Sequence, residues 1–194
     1  MLAATAASTA ALADATPPGL TVWLTGLPGA GKTTSAMALR REFDHLAQFV
    51  VVLDGDHLRR GLSRDLGFTN EDRDESVRRA GEIALLLSNQ GAITVVSLVS
   101  PRRGARDAVR ARHADEGVGF FEVYLDASLE ICEQRDPKSL YRRTRDGEID
   151  NMTGVDNPYE APLAPELVLA TGEMALEQSV AVLRAAVIAA LSTP

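Results

Sequence analysis

The chain has 194 residues, a formal net charge of −7 and a 45% hydrophobic fraction, which is typical of one globular domain. The acidic balance argues against broad nucleic-acid binding, since that function needs a basic surface. The single cysteine, Cys132, excludes an internal disulfide, and no apolar run approaches the ~20 residues of a membrane span. We therefore expect a cytoplasmic protein with no nucleic-acid and no membrane partner.

Residues 1–19 differ in composition from the rest of the chain. They are rich in alanine and close with Pro17-Pro18-Gly19. They lack the basic start and continuous apolar stretch of a secretory signal, and they carry no amphipathic stripe that would dock them on a core. We predict a flexible tail over residues 1–19 and a single domain over residues 20–194.

A phosphate-binding loop follows the tail. The pattern G-x-x-x-x-G-K-[ST] is matched by Gly26-Leu27-Pro28-Gly29-Ala30-Gly31-Lys32-Thr33, and Thr34 comes next. An apolar run at 20–25 predicts a buried strand before the loop, and the spacing over 35–43 predicts a helix after it. The loop amides and the helix dipole suit phosphates, Lys32 suits the β- and γ-phosphates, and the Thr33 hydroxyl suits Mg²⁺. We predict that these nine residues bind ATP.

The remaining elements alternate along the chain. Apolar or β-branched runs predict strands at 49–53, 93–99, 120–125 and 167–169, and helical spacing predicts helices at 72–89, 103–114, 128–133 and 174–191. This alternation indicates an α/β protein, a three-layer α/β/α fold of P-loop type with a mostly parallel five-stranded sheet. Ligands of such sheets bind at the carboxyl ends of the strands. Those ends carry the phosphate loop and Asp54, Asp56, Ser97, Ser100 and Asp126.

Asp54 and Asp56 come directly after the second predicted strand. A solvated turn is the ordinary interpretation of Asp and Gly at such a place. In a phosphate-loop protein, one carboxylate would instead ligate Mg²⁺ and the other would approach an acceptor hydroxyl, because phosphoryl transfer depends on positioning and charge neutralisation. The pattern alone leaves open which carboxylate has which role, and the metal candidates that we carry forward are Thr33 and Asp54. The pair favours a small-molecule kinase.

Several strings in the sequence resemble adenylylsulfate kinases (APS kinases). They lie at 53–62, 65–68, 72–73, 78–82 and 97–101, and the most specific are C-E-Q-R-D-P-K-S-L-Y at 132–141 and T-G-V-D-N-P-Y-E-A-P at 153–162. The resemblance runs collinearly from residue 20 to residue 191. It implies phosphorylation by Mg-ATP of the 3′-hydroxyl of adenosine 5′-phosphosulfate (APS), giving 3′-phosphoadenosine 5′-phosphosulfate (PAPS) in sulfate activation.

The resemblance also implies roles by position. Arg59 and Arg73 match arginines that bind the phosphosulfate, and Phe68 matches an aromatic that stacks on the adenine of APS. Ser100 matches a serine that is phosphorylated in some members and is dispensable for transfer there. The implied substrate-binding set is Asp56, Arg59, Phe68, Arg73, Ser76, Lys138, Leu140 and Met152. Arg135 joins the ATP-binding set, and the catalytic candidates are Lys32, Asp54, Asp56 and Ser100.

The long polar segment at 136–160 is predicted to be a mobile lid, because loops of this length in compact domains are usually lids or disordered. His113 is predicted to lie on the surface, since its context is charged. As partners, the resemblance implies APS as a small-molecule substrate and a separate ATP sulfurylase upstream, and a homodimer is left open.

The chain departs from the family around the acceptor. His57 and Ser76 stand where Asn is usual, Ser139 where Gly is common, and Met152 where an aromatic closes the adenine site. Two alternatives therefore stay open: a related P-loop kinase for another nucleotide or a polyol, and a catalytically weak nucleotide-binding module. The intact phosphate loop and its two aspartates argue against the second.

Overall fold

The computed structural model describes residues 19–44, 46 and 48–192, so the predicted tail, apart from Gly19, lies outside the described residues. The described elements follow one another along the chain as β1 (Leu20–Thr25), α1 (Lys32–Asp44), β2 (Val50–Asp54), α2 (Gly55–Arg60), α3 (Asn70–Asn89), β3 (Ile93–Ser97), α4 (Arg103–Asp115), β4 (Gly119–Leu125), α5 (Leu129–Arg135), α6 (Leu140–Arg145), β5 (Leu167–Leu169) and α7 (Leu176–Leu191).

The five strands form one sheet in the order β2-β3-β1-β4-β5. Every neighbouring pair is parallel, so the sheet is more regular than the mostly parallel one that the sequence predicts. All six residues of β1 are buried, which places this strand at the centre of the molecule. The phosphate loop therefore leaves from the middle of the sheet, at its carboxyl edge.

Helices cover both faces of the sheet. Val22 and Leu24 of β1 pack in the larger core, with apolar residues of α1 and α7. Trp23 points to the other face, where it packs with residues of α3 and α4. This alternation follows from the period of two in a strand, and each large side chain that becomes fully buried contributes about 1.5–3 kcal/mol. The three-layer prediction is confirmed.

Two short helices differ from the sequence-based expectation. The six-residue helix α2 begins directly after Asp54, whose carboxylate accepts hydrogen bonds from the amides of Asp56 and His57. The six-residue helix α6 lies within the predicted lid. Neither segment is long enough to show a helical period, so pattern analysis does not detect them. The other helices begin and end within a few residues of their predicted bounds.

Candidate active site

The phosphate loop is shaped by glycines whose backbone a larger residue would not adopt. Gly29 has a φ of 83°, and Gly31 has a φ of 98°. A Cβ on Gly29 would also lie 2.8 Å from the carbonyl oxygen of Cys132, in the helix behind the loop. Both positions therefore require glycine, and the loop presents its amides ahead of α1, where the helix dipole favours an anion.

Lys32 is the buried cation of this loop. Its ammonium donates to the carbonyl oxygens of Gly26 and Leu27, each at 2.8 Å. Burial lowers the pKa of Lys32 to about 8. A phosphate beside the ammonium would favour its charged form, so this lysine is suited to an anionic ligand.

Thr33 and Asp54 lie side by side next to the loop. The Thr33 hydroxyl donates to one carboxylate oxygen of Asp54 at 2.7 Å, and the other oxygen accepts from the Asp56 amide at 3.0 Å. A hydroxyl beside a carboxylate fits Mg²⁺, which prefers oxygen ligands and takes the rest from water and phosphates. The described residues contain no cluster of three or more His, Cys, Asp or Glu side chains that could hold a metal ion.

One cavity of about 890 Å³ joins the loop to the predicted acceptor residues. The predicted site residues that line it are Pro28, Gly29, Ala30, Gly31, Lys32, Thr33, Thr34, Asp54, Asp56, Arg59, Phe68, Arg73, Ser76, Ser100, Arg135, Lys138, Leu140 and Met152. Gly26 and Leu27 are not among its lining residues, and they contribute the carbonyl groups that hold Lys32.

Arg135 lies at the loop end of the cavity. Its guanidinium donates to the carbonyl oxygen of Thr171 at 2.6 Å and to that of Gly29 at 3.5 Å. It thereby connects the end of α5 to the phosphate loop. This placement agrees with the predicted ATP-binding set, in which its role stays a prediction.

Two arginines and one aromatic ring form a cationic cluster on the other side of the cavity. The guanidinium carbons of Arg59 and Arg73 lie 4.3 Å and 5.5 Å from the centroid of the Phe68 ring. Arg59 donates to the Gly67 carbonyl, and Arg73 donates to the carbonyl groups of Phe68 and Asn151. Burial lowers the pKa of both arginines. Because these partners are neutral, the cluster keeps positive charge that suits an anion.

Residues 136–160, the lid, pass over this cavity. The Lys138 ammonium forms an ion pair with the carboxylate of Asp56, and the Asn157 amide donates to Asn70 at the start of α3. Leu140 and Met152 line the cavity from the lid side, and Met152 is 6% exposed. The lid is thus in contact with both Asp56 and the start of α3. Its mobility stays a prediction.

Comparison with known proteins shows the family of this chain. The model of the adenylylsulphate kinase family matches residues 18–170, which is more than half of the chain. The chain belongs to the adenylylsulphate kinase family. This is the family that the sequence resembles, so the resemblance and the prediction of a kinase are both confirmed.

Individual relatives cover most of the chain. A probable adenylyl-sulfate kinase of Bacillus subtilis (strain 168) is 53% identical over 152 residues, which are 78% of this chain and 76% of that protein. An adenylyl-sulfate kinase of Bacillus pumilus (strain SAFR-032) is 49% identical over 81% of this chain and 79% of that one. The solved structure of the Mycobacterium tuberculosis APS kinase CysC in complex with AMPPNP and APS has a TM-score of 0.85 and 42% identity, over 91% of this chain and 99% of that one.

Ser100 lies beneath the cavity of this adenylylsulphate kinase, in an unusual backbone conformation with a φ of 40°. Its hydroxyl accepts from the Trp23 indole at 3.0 Å and donates to Thr25 at 3.1 Å. It is 3% exposed. Through these contacts Ser100 fixes the backbone at the floor of the site. Its assignment to the catalytic set stays a prediction.

Two polar residues, Arg106 and His113, are buried although the sequence around them suggests an exposed helix. Arg106 was not singled out, yet its buried guanidinium donates to Glu122 at 2.7 Å and to the carbonyl groups of Ser100 and Glu160. Its position on a charged helix gives no signal of burial. The surface prediction for His113 is wrong, because the ring is fully buried and bonds to Thr21.

None of the helices in the described part of the chain combines the length and apolarity that crossing a bilayer requires.

Proposed function

We propose that the chain transfers the γ-phosphoryl group of ATP to the 3′-hydroxyl of APS, giving ADP and PAPS. The observation that carries this proposal is the single cavity that joins the phosphate loop to the cationic cluster of Arg59, Phe68 and Arg73, with Asp54 and Asp56 on its wall. Family membership and the neighbour that was solved with AMPPNP and APS support the same pair of ligands.

The loop side of the cavity would bind the phosphates of ATP. Backbone amides at the start of α1 meet the phosphate oxygens, and the Lys32 ammonium exchanges its two carbonyl partners for the β- and γ-phosphates. Thr33 and Asp54 would hold Mg²⁺, which neutralises phosphate charge when bound. The Thr33–Asp54 contact at 2.7 Å already brings these two ligands together.

The cluster side would bind APS. An aromatic ring stacks on a nucleobase, and a guanidinium fork matches the oxygens of a phosphate or sulfate group. Phe68 is 57% exposed, so the ring is accessible to a base, and it lies beside the two arginines. A nucleotide whose base packs on Phe68 therefore brings its anionic end toward Arg59 and Arg73.

Between the two sides, Asp56 would take the proton of the acceptor. The acceptor oxygen forms a bond to the γ-phosphorus while the bond from that phosphorus to the β–γ bridging oxygen breaks. The hydroxyl proton passes to the Asp56 carboxylate, and ADP leaves with the bridging oxygen. Lys138 pairs with this carboxylate from the lid, so the same contact brings a cation close to the transferred group.

Three further expectations from the sequence remain predictions within this proposal: a separate ATP sulfurylase that supplies APS, a homodimer, and a cytoplasmic location.

One experiment tests the acceptor. Purified protein with Mg-ATP is given APS, another nucleotide, gluconate or no acceptor, and both ADP and phosphorylated acceptor are measured. We expect rapid ADP formation with APS alone, with one PAPS per ADP. Faster transfer to another acceptor would leave the kinase assignment standing and overturn APS as the substrate.

A matched pair of variants tests the carboxylate. Asp56→Asn should lower turnover far more than the affinity for ATP, because it removes the proton acceptor and leaves the loop intact. Asp107→Asn changes an exposed carboxylate of α4 in the same way and should leave turnover unchanged. An equal loss of turnover and ATP affinity in Asp56→Asn would mean that this residue only supports the nucleotide loop.

A further inference from the structure

The chain has three tyrosines, and two of them lie near the two ends of the lid. Near its beginning, the Tyr141 hydroxyl donates to the carbonyl oxygen of Pro28 at 2.8 Å. Pro28 is part of the phosphate loop, and Tyr141 is 3% exposed. The start of the lid is thus bonded directly to the loop that would hold the phosphates.

The other end of the lid contacts the residue that precedes the same loop. The Tyr159 hydroxyl lies 2.9 Å from the hydroxyl of Thr25, the residue that directly precedes Gly26. Thr25 has one hydroxyl hydrogen, and it donates this to the carbonyl of Val99 at 2.8 Å. Tyr159 must therefore be the donor to Thr25, as Tyr141 is to Pro28.

Neighbouring groups fix the second attachment further. Arg106 donates to the carbonyl of Glu160 at 2.7 Å, and also to that of Ser100, whose hydroxyl bonds to Thr25. Burial raises the pKa of both phenols, so they remain protonated donors at all ordinary pH values. Each end of the lid is thus joined to the phosphate loop, or to the residue before it, by a hydrogen bond that the lid tyrosine donates.

We propose that Tyr141 and Tyr159 are positioning residues. They hold the lid at a fixed position relative to the phosphate loop, so that Lys138 and Met152 lie over the acceptor. The proposal rests on the function proposed above for what the lid covers. The Tyr141 phenol bonds to Pro28 within the loop, and the Tyr159 phenol bonds to Thr25, which directly precedes it. They would act through the lid, whose closure keeps water from the transferred phosphoryl group.

The test uses phenylalanine at each tyrosine, which removes one hydroxyl and keeps the ring. Tyr141→Phe, Tyr159→Phe and the double variant are compared with Tyr124→Phe. Tyr124 is the matched control because its ring stacks on Tyr159 at 5.9 Å, whereas its hydroxyl bonds to Asp126 outside the lid. Hydrogen exchange of the amides at 137–158 is measured without acceptor, beside that of the β1 amides.

We expect lid exchange to rise about three- to tenfold in each single lid variant, the factor that corresponds to one hydrogen bond, and further in the double variant. Exchange in β1, and in the whole Tyr124→Phe protein, should stay unchanged. Equal exchange in all four variants and the parent would overturn the proposal, and so would an equal rise in β1, since that would show general destabilisation.

A second readout follows the chemistry. With Mg-ATP and APS, the lid variants should form more ADP than PAPS and show a raised KM for APS, with ATP affinity changed less than about twofold. A one-to-one product ratio with unchanged KM would overturn the positioning role. If the parent itself makes no PAPS, the proposed function fails, and the exchange measurement still decides whether the two phenols hold the lid.

Discussion

Replacing Arg106 by methionine removes a buried cation at the base of the lid. The guanidinium is 1% exposed, and it donates to Glu122 and to two carbonyl groups at 2.6–2.7 Å. Methionine keeps much of the apolar stem, so the change acts mainly on charge and hydrogen bonding. Removing one member of a buried ion pair costs about 3–5 kcal/mol. Arg110 still contacts Glu122 at 3.2 Å, so we expect the free energy of unfolding to fall by about 3 kcal/mol, the lower end of that range.

Urea unfolding followed by circular dichroism measures this loss. Arg110→Met is the matched control, because this arginine pairs with Glu122 and Glu166 at a site where 32% of its side chain is exposed. Solvent screens such a pair, so we expect a loss of about 1 kcal/mol or less. The double variant Arg106→Met/Glu122→Met should recover much of the loss, since it leaves no unpaired buried charge. Equal losses in the two single arginine variants would refute the reasoning.

Three further predictions address the loop, the acceptor and a buried histidine. Lys32→Ala should lower turnover about 100-fold or more, with an unchanged melting temperature, because it removes the cation that we propose to contact the transferred phosphate; near-normal turnover would contradict this. Phe68→Ala should weaken APS binding by about 1–3 kcal/mol in calorimetry, the scale of one base–aromatic stack, and an equal loss of ATP affinity would contradict it. Burial lowers the pKa of His113 below its usual 6.5, so its contribution to stability is present above that pH and is lost as the pH falls toward the folded-state pKa. The parent should therefore lose more unfolding free energy than His113→Asn between pH 7 and pH 5, and parallel losses would count against this.

Much of the fold could be predicted because the strands are short apolar runs between clear loops. The apolar run before Gly26 predicts the central strand. Asp54 could be placed at the edge of the sheet because the carboxyl ends of parallel strands share one edge. The sequence does not carry the strand order in such local patterns. It emerges from long-range pairing, in which β3 lies between β1 and β2.

The site was predictable where a residue lies in a motif, and much less so where burial depends on distant neighbours. Lys32 and Thr33 follow from the loop pattern alone. Arg106 and His113 lie on α4 among charged residues, and a helix with that composition is ordinarily solvated. Their partners lie on other elements: Glu122 is on β4, 16 residues after Arg106, and Thr21 is on β1, 92 residues before His113. Their hydrogen bonds to these partners form only in the folded state, so local composition does not reveal that the two side chains are buried.

The bond between Trp23 and Ser100 has a consequence for optical measurements. The chain has one tryptophan, and its fully buried indole donates to the hydroxyl that fixes the floor of the site. Tryptophan fluorescence of the native protein therefore comes from one indole, next to the floor of the cavity. Outward movement of the Ser100 turn would break this bond and change the emission of Trp23, and attachment of a group to the Ser100 hydroxyl would remove the hydrogen that it donates to Thr25. The molecule thus contains an unlabelled reporter for movement beneath its own substrates.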